Sequence, residues 1–366
     1  MKAEAQISSW QATAYIVILI LPTAILFVPA TTAASAGPDA WLSLLAALVF
    51  GLLVAGIASA LASRFPQETP VEYAPRLLGR YLGKLVGLIF ACYFYYVAYF
   101  VQRQFTELMS TTYLFNTPVL VNIGLLTLIA CYALYLGMEP LARTNTVITC
   151  FFLISIVVIF LLILKHIRLE NFTPLLATPP GKILFGALSP GSWFGECAVI
   201  LMLAPFLADK KKIARITFGA VLIVFFSMVL VTIGAVGLFG PETTSRLVFP
   251  TFSLARYTMI ETFMSLDRVD VLFMAVWVAG MAFKLTTFFY AGTLAFAQLF
   301  GLKSYRPLII PGGILLTVLS LNSWTNIAEL MEFSAQVFPP SVSFVNFFLT
   351  FLLYLISFKE PSPGGQ

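Results

Sequence analysis

The feature that most constrains this chain is a series of long apolar stretches, each about as long as a membrane-spanning helix. A helix rises about 1.5 Å per residue, so about 20 mainly apolar residues cross the roughly 30 Å hydrocarbon core of a bilayer. Only helices and closed barrels satisfy their backbone hydrogen bonds in lipid, and these apolar residues run continuously instead of alternating. The sequence therefore predicts an all-α integral membrane protein.

The composition supports the same conclusion. Of the 366 residues, 60% are hydrophobic and 10% are charged, whereas soluble domains have roughly 25% charged residues. A soluble chain of this length would lack the polar side chains needed to cover its surface. The net charge of +5 is interpreted as a matter of membrane topology, since no nucleic-acid-binding motif accompanies it.

The apolar stretches divide the chain into about ten spans within a single transmembrane domain. We place them at residues 10–33, 40–62, 81–108, 118–138, 144–165, 190–208, 214–238, 268–299, 306–322 and 335–357. The longest connections, 166–189 and 239–267, are expected to be ordered loops or partial helices on the bundle. The first span is expected to stay in the membrane and not to be a cleaved signal peptide, because it is long and Lys2 is balanced by Glu4.

Basic residues indicate the orientation of the spans. If the N-terminus is cytoplasmic, 13 of the 21 lysines and arginines lie on the inner side, seven lie on the outer side and Lys284 lies within a span. The inner residues include Lys2 and Lys359, and the outer residues include Arg103 and Arg268. This bias predicts an even number of spans with both termini in the cytoplasm.

The sequence contains no pattern of catalytic or metal-binding residues. The single histidine, His166, lies at the end of a span, and Cys92, Cys131, Cys150 and Cys197 lack the spacing of metal ligands. Phosphate-binding glycine loops and serine-nucleophile motifs are also missing from the sequence. We therefore expect no enzyme activity, no metal and no cofactor.

Two spans carry features that interrupt a helix. Pro22 lies near the middle of the first span, where a proline removes one backbone N–H and clashes with the preceding turn. The sixth span contains Gly195 and Glu196, and a carboxylate at that depth is costly unless it is protonated, paired or in contact with water. Broken helices five spans apart are typical of a five-plus-five inverted repeat, here about 10–165 and 190–357, with a binding site near the midplane. An equal alternative is that Pro22 only kinks a packed helix.

Spans three and eight carry further polar side chains. Tyr96, Tyr99 and Arg103 share one face of span three, and Glu107, one turn beyond, is expected to pair with Arg103 near the outer rim. The tyrosines either offer hydroxyl groups to a ligand or form an aromatic packing stripe.

Span eight places a lysine at mid-membrane depth. Such a residue indicates a functional site, and Lys284 is followed by Thr286 and Thr287. Its expected partner is Glu196. We hypothesise that Lys284 replaces the coupling cation of ion-driven transporters, and a structural ion pair or a neutral buried amine is the alternative.

Short motifs along the chain resemble the B subunits of nutrient germinant receptors of spore-forming bacteria. Each motif is short, but their order and spacing cover nearly the whole chain. They are Ile7-Ser8-Ser9-Trp10-Gln11, Asp39-Ala40-Trp41-Leu42, Phe65-Pro66, Glu72-Tyr73, Thr117-Pro118, Gly137-Met138-Glu139 with Arg143, Asn171-Phe172-Thr173-Pro174, Gly195-Glu196, Arg268-Val269-Asp270, and Phe283-Lys284 with Tyr290.

The resemblance implies a member of the amino acid–polyamine–organocation transporter superfamily, with a LeuT-like inverted-repeat fold. Members of this receptor family lie in the spore inner membrane and sense amino acids, sugars or nucleosides. They act with an A subunit, regarded as an ion channel, and a lipoprotein C subunit. The implied function is therefore a germinant sensor that signals to partner subunits. A secondary amino acid or polyamine transporter and a scaffold subunit that binds no nutrient are the alternatives.

By analogy with the superfamily, the resemblance implies a ligand between spans one, three, six and eight. The implied lining lies at the two breaks and on the flanking spans, at Thr23, Ala24, Ile25, Phe194, Gly195, Glu196, Tyr96 and Thr287. The first three residues would present free backbone N–H groups, although Pro22 replaces the glycine-rich break of many superfamily members. The mostly apolar lining would suit a small apolar amino acid.

Overall fold

The computed structural model describes residues 6–261 and 269–358. Lys2, Lys359 and Arg268, used above for topology and for one motif, lie outside the described residues. The α-helices are α1 Ser9–Ala36, α2 Ala40–Arg64, α3 Pro70–Leu78, α4 Arg80–Thr112, α5 Val119–Leu136, α6 Met138–Ile163, α7 Pro180–Gly186, α8 Leu188–Gly195, α9 Ile200–Leu203, α10 Ile213–Phe239, α11 Pro241–Arg246, α12 Pro250–Glu261, α13 Val269–Leu299, α14 Ile309–Leu321, α15 Ile327–Gln336, α16 Phe338–Ser343 and α17 Thr350–Ser357.

The helices account for the predicted membrane crossings. Eight stretches of the described residues are long and apolar enough to span a bilayer, and the first of them, Ser9–Arg64, contains both α1 and α2. The shorter apolar helix Arg306–Leu321 lies at the ninth predicted span. Among the described residues, these elements together correspond to the ten spans that the sequence predicted.

α1 lies in the centre of the bundle. Its side chains are buried on all sides from Tyr15 to Ala30, and it packs against α2, α6, α10 and α13. By contrast, α5 and α6 expose large apolar side chains such as Leu128 and Phe151 on their outer faces. A helix that is apolar all round belongs in the interior of a large bundle, and exposed apolar faces are what lipid contact requires.

α1 differs from the prediction at Pro22. The sequence predicted a break, but the helix continues through this residue. Neighbouring side chains support its backbone: Trp277 Nε1 donates a hydrogen bond of 2.8 Å to the Pro22 carbonyl, and Thr251 Oγ1 donates one of 2.5 Å to the Ile25 carbonyl. The Ile25 carbonyl is the one that Pro29, which lacks an N–H, leaves free. A side chain from another helix thus satisfies the carbonyl that Pro29 frees, within a helix that contains two prolines.

The interruption of span six is confirmed. Helix α8 ends at Gly195, Glu196–Val199 form a 3₁₀-helix, and α9 begins at Ile200. A 3₁₀ stretch inside a helix often marks a hinge or a functional site. Here it places Glu196 at the point where regular helix stops.

The connections between spans are ordered, as expected. Within 166–189 the short helix α7 forms, and the Asp39 carboxylate accepts hydrogen bonds from the backbone N–H groups of Leu176 (2.8 Å) and Thr178 (3.0 Å). The described part of 239–267 contains α11 and α12. Ile7 forms a parallel β-bridge with Leu207, so the start of α1 and the end of span six lie at the same end of the bundle.

Candidate functional site

Lys284 lies where three helical segments meet, and its side chain is fully buried. Its Nζ donates hydrogen bonds of 2.7 Å to Glu196 Oε2 and 2.6 Å to Thr23 Oγ1. The Thr23 hydroxyl donates in turn to the Ile20 carbonyl over 3.4 Å. One ammonium group therefore joins α1, span six and α13, and the predicted pairing of Lys284 with Glu196 is confirmed.

Two aromatic rings complete the surroundings of the ammonium group. Lys284 Nζ lies 4.7 Å from the ring centroid of Trp193 and 5.7 Å from that of Phe288. The negative face of an aromatic ring attracts a cation at such distances, and more strongly where water is excluded. Sequence analysis missed both rings as site residues. Their spacing was the available signal, since Phe288 lies one helical turn after Lys284 and Trp193 lies three residues before Glu196.

The buried charges of Lys284 and Glu196 need hydrogen-bond partners to offset the cost of removing them from water. Moving two charges out of water is expensive, and their attraction repays the cost only with good geometry and further hydrogen bonds. Thr23 and the rings supply such contacts on the lysine side. On the carboxylate side, Glu196 Oε1 is buried and has no hydrogen-bond partner among the described residues. One acceptor of the pair is therefore left to whatever occupies the space beside it.

A small cavity adjoins Glu196. It measures about 10 Å³, which is room for roughly one water molecule. An amino acid does not fit into this space, so the site is closed in this conformation. The lining combines polar and apolar residues, which are Phe90, Tyr93, Phe94, Glu196, Ala198, Val199, Leu201, Met202, Phe288 and Asn346.

Two of these lining residues form a hydrogen bond that sequence analysis missed. Asn346 Nδ2 donates to Tyr93 Oη over 2.8 Å. Asn346 belongs to the π-helical segment Phe344–Leu349 between α16 and α17, and such segments are frequent at functional sites. Periodicity carries no information about a contact between spans three and ten, so no sequence signal could have found this pair.

The hydroxyl groups of Thr286 and Thr287 donate hydrogen bonds within α13. Thr286 Oγ1 donates to the Ala282 carbonyl (2.7 Å), and Thr287 Oγ1 donates to the Phe283 carbonyl (2.9 Å). Thr23, Ala24 and Ile25 are buried within continuous α1. The expectation that these three residues present free backbone N–H groups is therefore wrong for this conformation, because their N–H groups belong to the helical ladder.

Tyr96 and Tyr99 lie one layer away from the ion pair. The Tyr96 hydroxyl is 2.8 Å from Ser341 Oγ, and its ring stacks on Phe338. The Tyr99 ring packs against Trp324. These contacts match the packing interpretation of the two tyrosines. Phe338 connects this layer to the site, because its ring centroid lies 4.4 Å from that of Trp193.

Phe194 and Gly195 position the end of α8. Phe194 is fully buried and packs closely on Gly51 of α2, where an added Cβ would lie 2.6 Å from Phe194 Cβ. At the C-terminal end of the predicted face on α4, Arg103 Nη2 lies 2.6 Å from Glu107 Oε1, which confirms that pair. Within the described ranges no three His, Cys, Asp or Glu side chains converge as metal ligands.

The fold of the chain is the one shared by LeuT-like proteins of known structure. The chain aligns with the crystal structure of MhsT in complex with L-phenylalanine at a TM-score of 0.68 and 13% identity, covering 96% of this chain and 97% of MhsT. It aligns with the substrate-bound, outward-open state of a Na⁺-coupled sialic acid symporter at a TM-score of 0.66 and 12% identity, covering 94% and 80% of the two chains. These likenesses establish the LeuT-like fold that the sequence predicted.

Sequence relatives identify the family. A family model described as "Spore germination protein" matches residues 6–328. Spore germination protein KB of Bacillus subtilis (strain 168) is 28% identical over 356 residues, which cover 96% of this chain and 94% of that protein. The chain therefore belongs to the spore germination protein family, which confirms the resemblance to germinant-receptor B subunits.

Proposed function

We propose that this chain is the germinant-sensing subunit of a spore nutrient receptor and binds a small nutrient, such as an amino acid, between α1, α4, span six and α13. Family membership and the transporter fold support this function. The observation that carries it is the buried Lys284 ammonium held by Glu196 and Thr23. Apolar packing at this position would be at least as stable, so a charged pair at this depth points to function.

The proposed mechanism is a shift between conformations. The cavity beside Glu196 measures about 10 Å³, so a nutrient has to bind a conformation in which this space is larger. A ligand that binds the open conformation better shifts the population by the difference in its affinities. The segments joined at Lys284 would then move apart, and the change would reach A and C subunits in the spore inner membrane, with both termini cytoplasmic.

In this mechanism Lys284 takes the place of a coupling cation. Its fixed positive charge ties α13 to α1 and span six without an ion. A Lys284→Ala variant with an unchanged nutrient response and an unchanged receptor level would overturn this hypothesis.

The sharpest test of the mechanism removes one hydrogen bond and keeps the ion pair. Thr23→Val is nearly isosteric and deletes one of the two acceptors for Lys284, whereas Thr32→Val deletes a buried hydroxyl whose hydrogen bonds among the described residues go to carbonyls of α1 itself. A hydrogen bond to a charged group contributes about 1.5–3 kcal/mol. Thr23→Val should therefore loosen the closed conformation and lower the nutrient concentration for half-maximal germination by about tenfold.

The measurement is germination of spores in a defined amino acid mixture, with receptor abundance determined in parallel. Thr32→Val should respond like the wild type. If Thr23→Val also responds like the wild type at equal abundance, the buried ammonium does not control the response and the proposed mechanism fails.

A secondary transporter is the second candidate function, favoured by the fold shared with a Na⁺-coupled symporter. It predicts gradient-driven uptake of amino acids or polyamines into vesicles that contain only this chain. A sensor predicts binding without accumulation. A scaffold subunit predicts a third result, in which Thr287→Leu leaves germinant specificity untouched.

A further inference from the structure

We propose that the cavity beside Glu196 is a subsite for a neutral hydrogen-bond donor. Water would occupy it in the closed conformation, and a hydroxyl or amide group of the ligand would replace that water in the open one. This inference rests on the proposed nutrient-binding function and narrows the ligand chemistry. It also adds span ten, through Asn346, to the spans that form the site.

The first observation is an unused acceptor. Glu196 Oε2 is bound to Lys284, whereas Oε1 is buried and has no partner among the described residues, and Glu196 is one of the residues that line the cavity. A carboxylate oxygen only accepts hydrogen bonds. A group in the cavity that donates a hydrogen bond would therefore satisfy Oε1.

The second observation concerns two other polar residues of the lining. Tyr93 Oη accepts a hydrogen bond from Asn346 Nδ2 over 2.8 Å, so the Tyr93 O–H is left to donate. Both residues line the same cavity as Glu196. An occupant that also accepts a hydrogen bond would satisfy Tyr93. Water, hydroxyl and amide groups both donate and accept, but an ammonium group only donates.

The charge balance of the site also favours a neutral occupant. Lys284 already neutralises Glu196, with side chains that are both 0% exposed. A second cation would leave a net positive charge deep in the bundle, where an uncompensated charge is costly. The rest of the wall is largely apolar, with Phe90, Phe94 and Met202 among its residues. The charged ends of an amino acid would therefore bind elsewhere, and a neutral donor would reach Glu196.

The experiment enlarges the cavity without touching its polar groups. Met202→Ala removes an apolar lining side chain, and Met228→Ala is the matched control, since Met228 is equally buried on α10 and does not line the cavity. The probes are methanol and methylammonium chloride, which are similar in size and differ in charge. The thermal midpoint of the purified full-length chain is measured with each probe, and sodium chloride serves as the salt control.

Methanol at about ten times its dissociation constant should raise the midpoint of Met202→Ala relative to Met228→Ala by about 2 °C. Methylammonium should shift it no more than sodium chloride does. A larger shift with methylammonium would make the cavity a cation site and overturn the proposal. No specific shift with either probe would make it a packing gap, which also overturns it.

A second measurement covers the case in which Met202→Ala does not fold. A high-resolution experimental structure of the wild-type chain should show a water molecule within hydrogen-bond distance of Glu196 Oε1 and Tyr93 Oη. An empty cavity there would contradict the proposal. Neither result depends on germination, so failure of the subsite is distinguishable from failure of the sensor function, which Thr23→Val tests in spores.

Discussion

Two ion pairs with the same N–O distance lie in opposite surroundings. Lys284–Glu196 and Arg246–Glu242 both measure 2.7 Å, but the side chains of the first are 0% exposed and those of the second are 77% and 79% exposed. Exposed pairs typically contribute about 0–1 kcal/mol, because water and salt screen them. Removing one member of a buried pair costs about 3–5 kcal/mol, because it leaves an uncompensated charge. The N–O distance alone therefore does not indicate how much an ion pair contributes to stability.

The two pairs also differ in what they connect. Arg246 and Glu242 lie one turn apart on α11, so local helix formation is enough to bring them together. Lys284 and Glu196 are separated by 88 residues and meet only when α13 packs against span six. The buried pair therefore reports on the arrangement of the helices, which is the property that a conformational sensor has to couple to its ligand.

The largest effect is expected from Lys284→Ala. It leaves the Glu196 carboxylate buried without its counter-charge, so the free energy of unfolding should fall by about 3–5 kcal/mol. Thermal unfolding of the purified protein measures this loss. A midpoint within the error of the wild-type value would show that Glu196 is not charged or that water already reaches it.

An intermediate effect is expected from Arg103→Ala. The Arg103 and Glu107 side chains are 7% and 12% exposed and lie one turn apart on α4, so water can partly solvate the abandoned Glu107. The expected loss is about 1–3 kcal/mol. The same unfolding assay checks this value. A loss as large as that of Lys284→Ala would show that the contribution of an ion pair to stability does not follow the exposure of its side chains.

The smallest effect is expected from Arg246→Ala. Both side chains of this pair are mostly exposed, so the free energy of unfolding should change by no more than about 0.5 kcal/mol. A clearly larger loss would indicate that α11 takes part in a contact with the bundle that depends on this charge.

The first and sixth spans show how far sequence reasoning reaches. Pro22 predicted a break in α1 that the structure does not have: the helix runs from Ser9 to Ala36, and Trp277 and Thr251 from distant segments hydrogen-bond to the Pro22 and Ile25 carbonyls. The span-six interruption at Glu196 was predicted correctly from a residue that is costly to bury. A single sequence thus reveals residues that need a partner, but the partners themselves depend on tertiary packing.

The same limit applies to the site. The Lys284–Glu196 pairing followed from two intramembrane charges that each required compensation. Tyr93 and Asn346 gave no such signal, because neither side chain is charged and neither therefore requires a specific partner within the membrane. Their contact depends on the π-helical turn of span ten, which no pattern in the sequence predicted.

The most direct test of the central claim replaces the whole buried pair with apolar residues, in the double variant Lys284→Met and Glu196→Leu. Because no charge is left unpaired, stability and receptor abundance should stay near wild type or improve. The measurement is nutrient-triggered germination of spores that carry this variant. If the pair couples nutrient binding to the helix arrangement, germination should no longer depend on the nutrient concentration at normal receptor abundance. A normal response would show that the pair is only structural and would contradict the account.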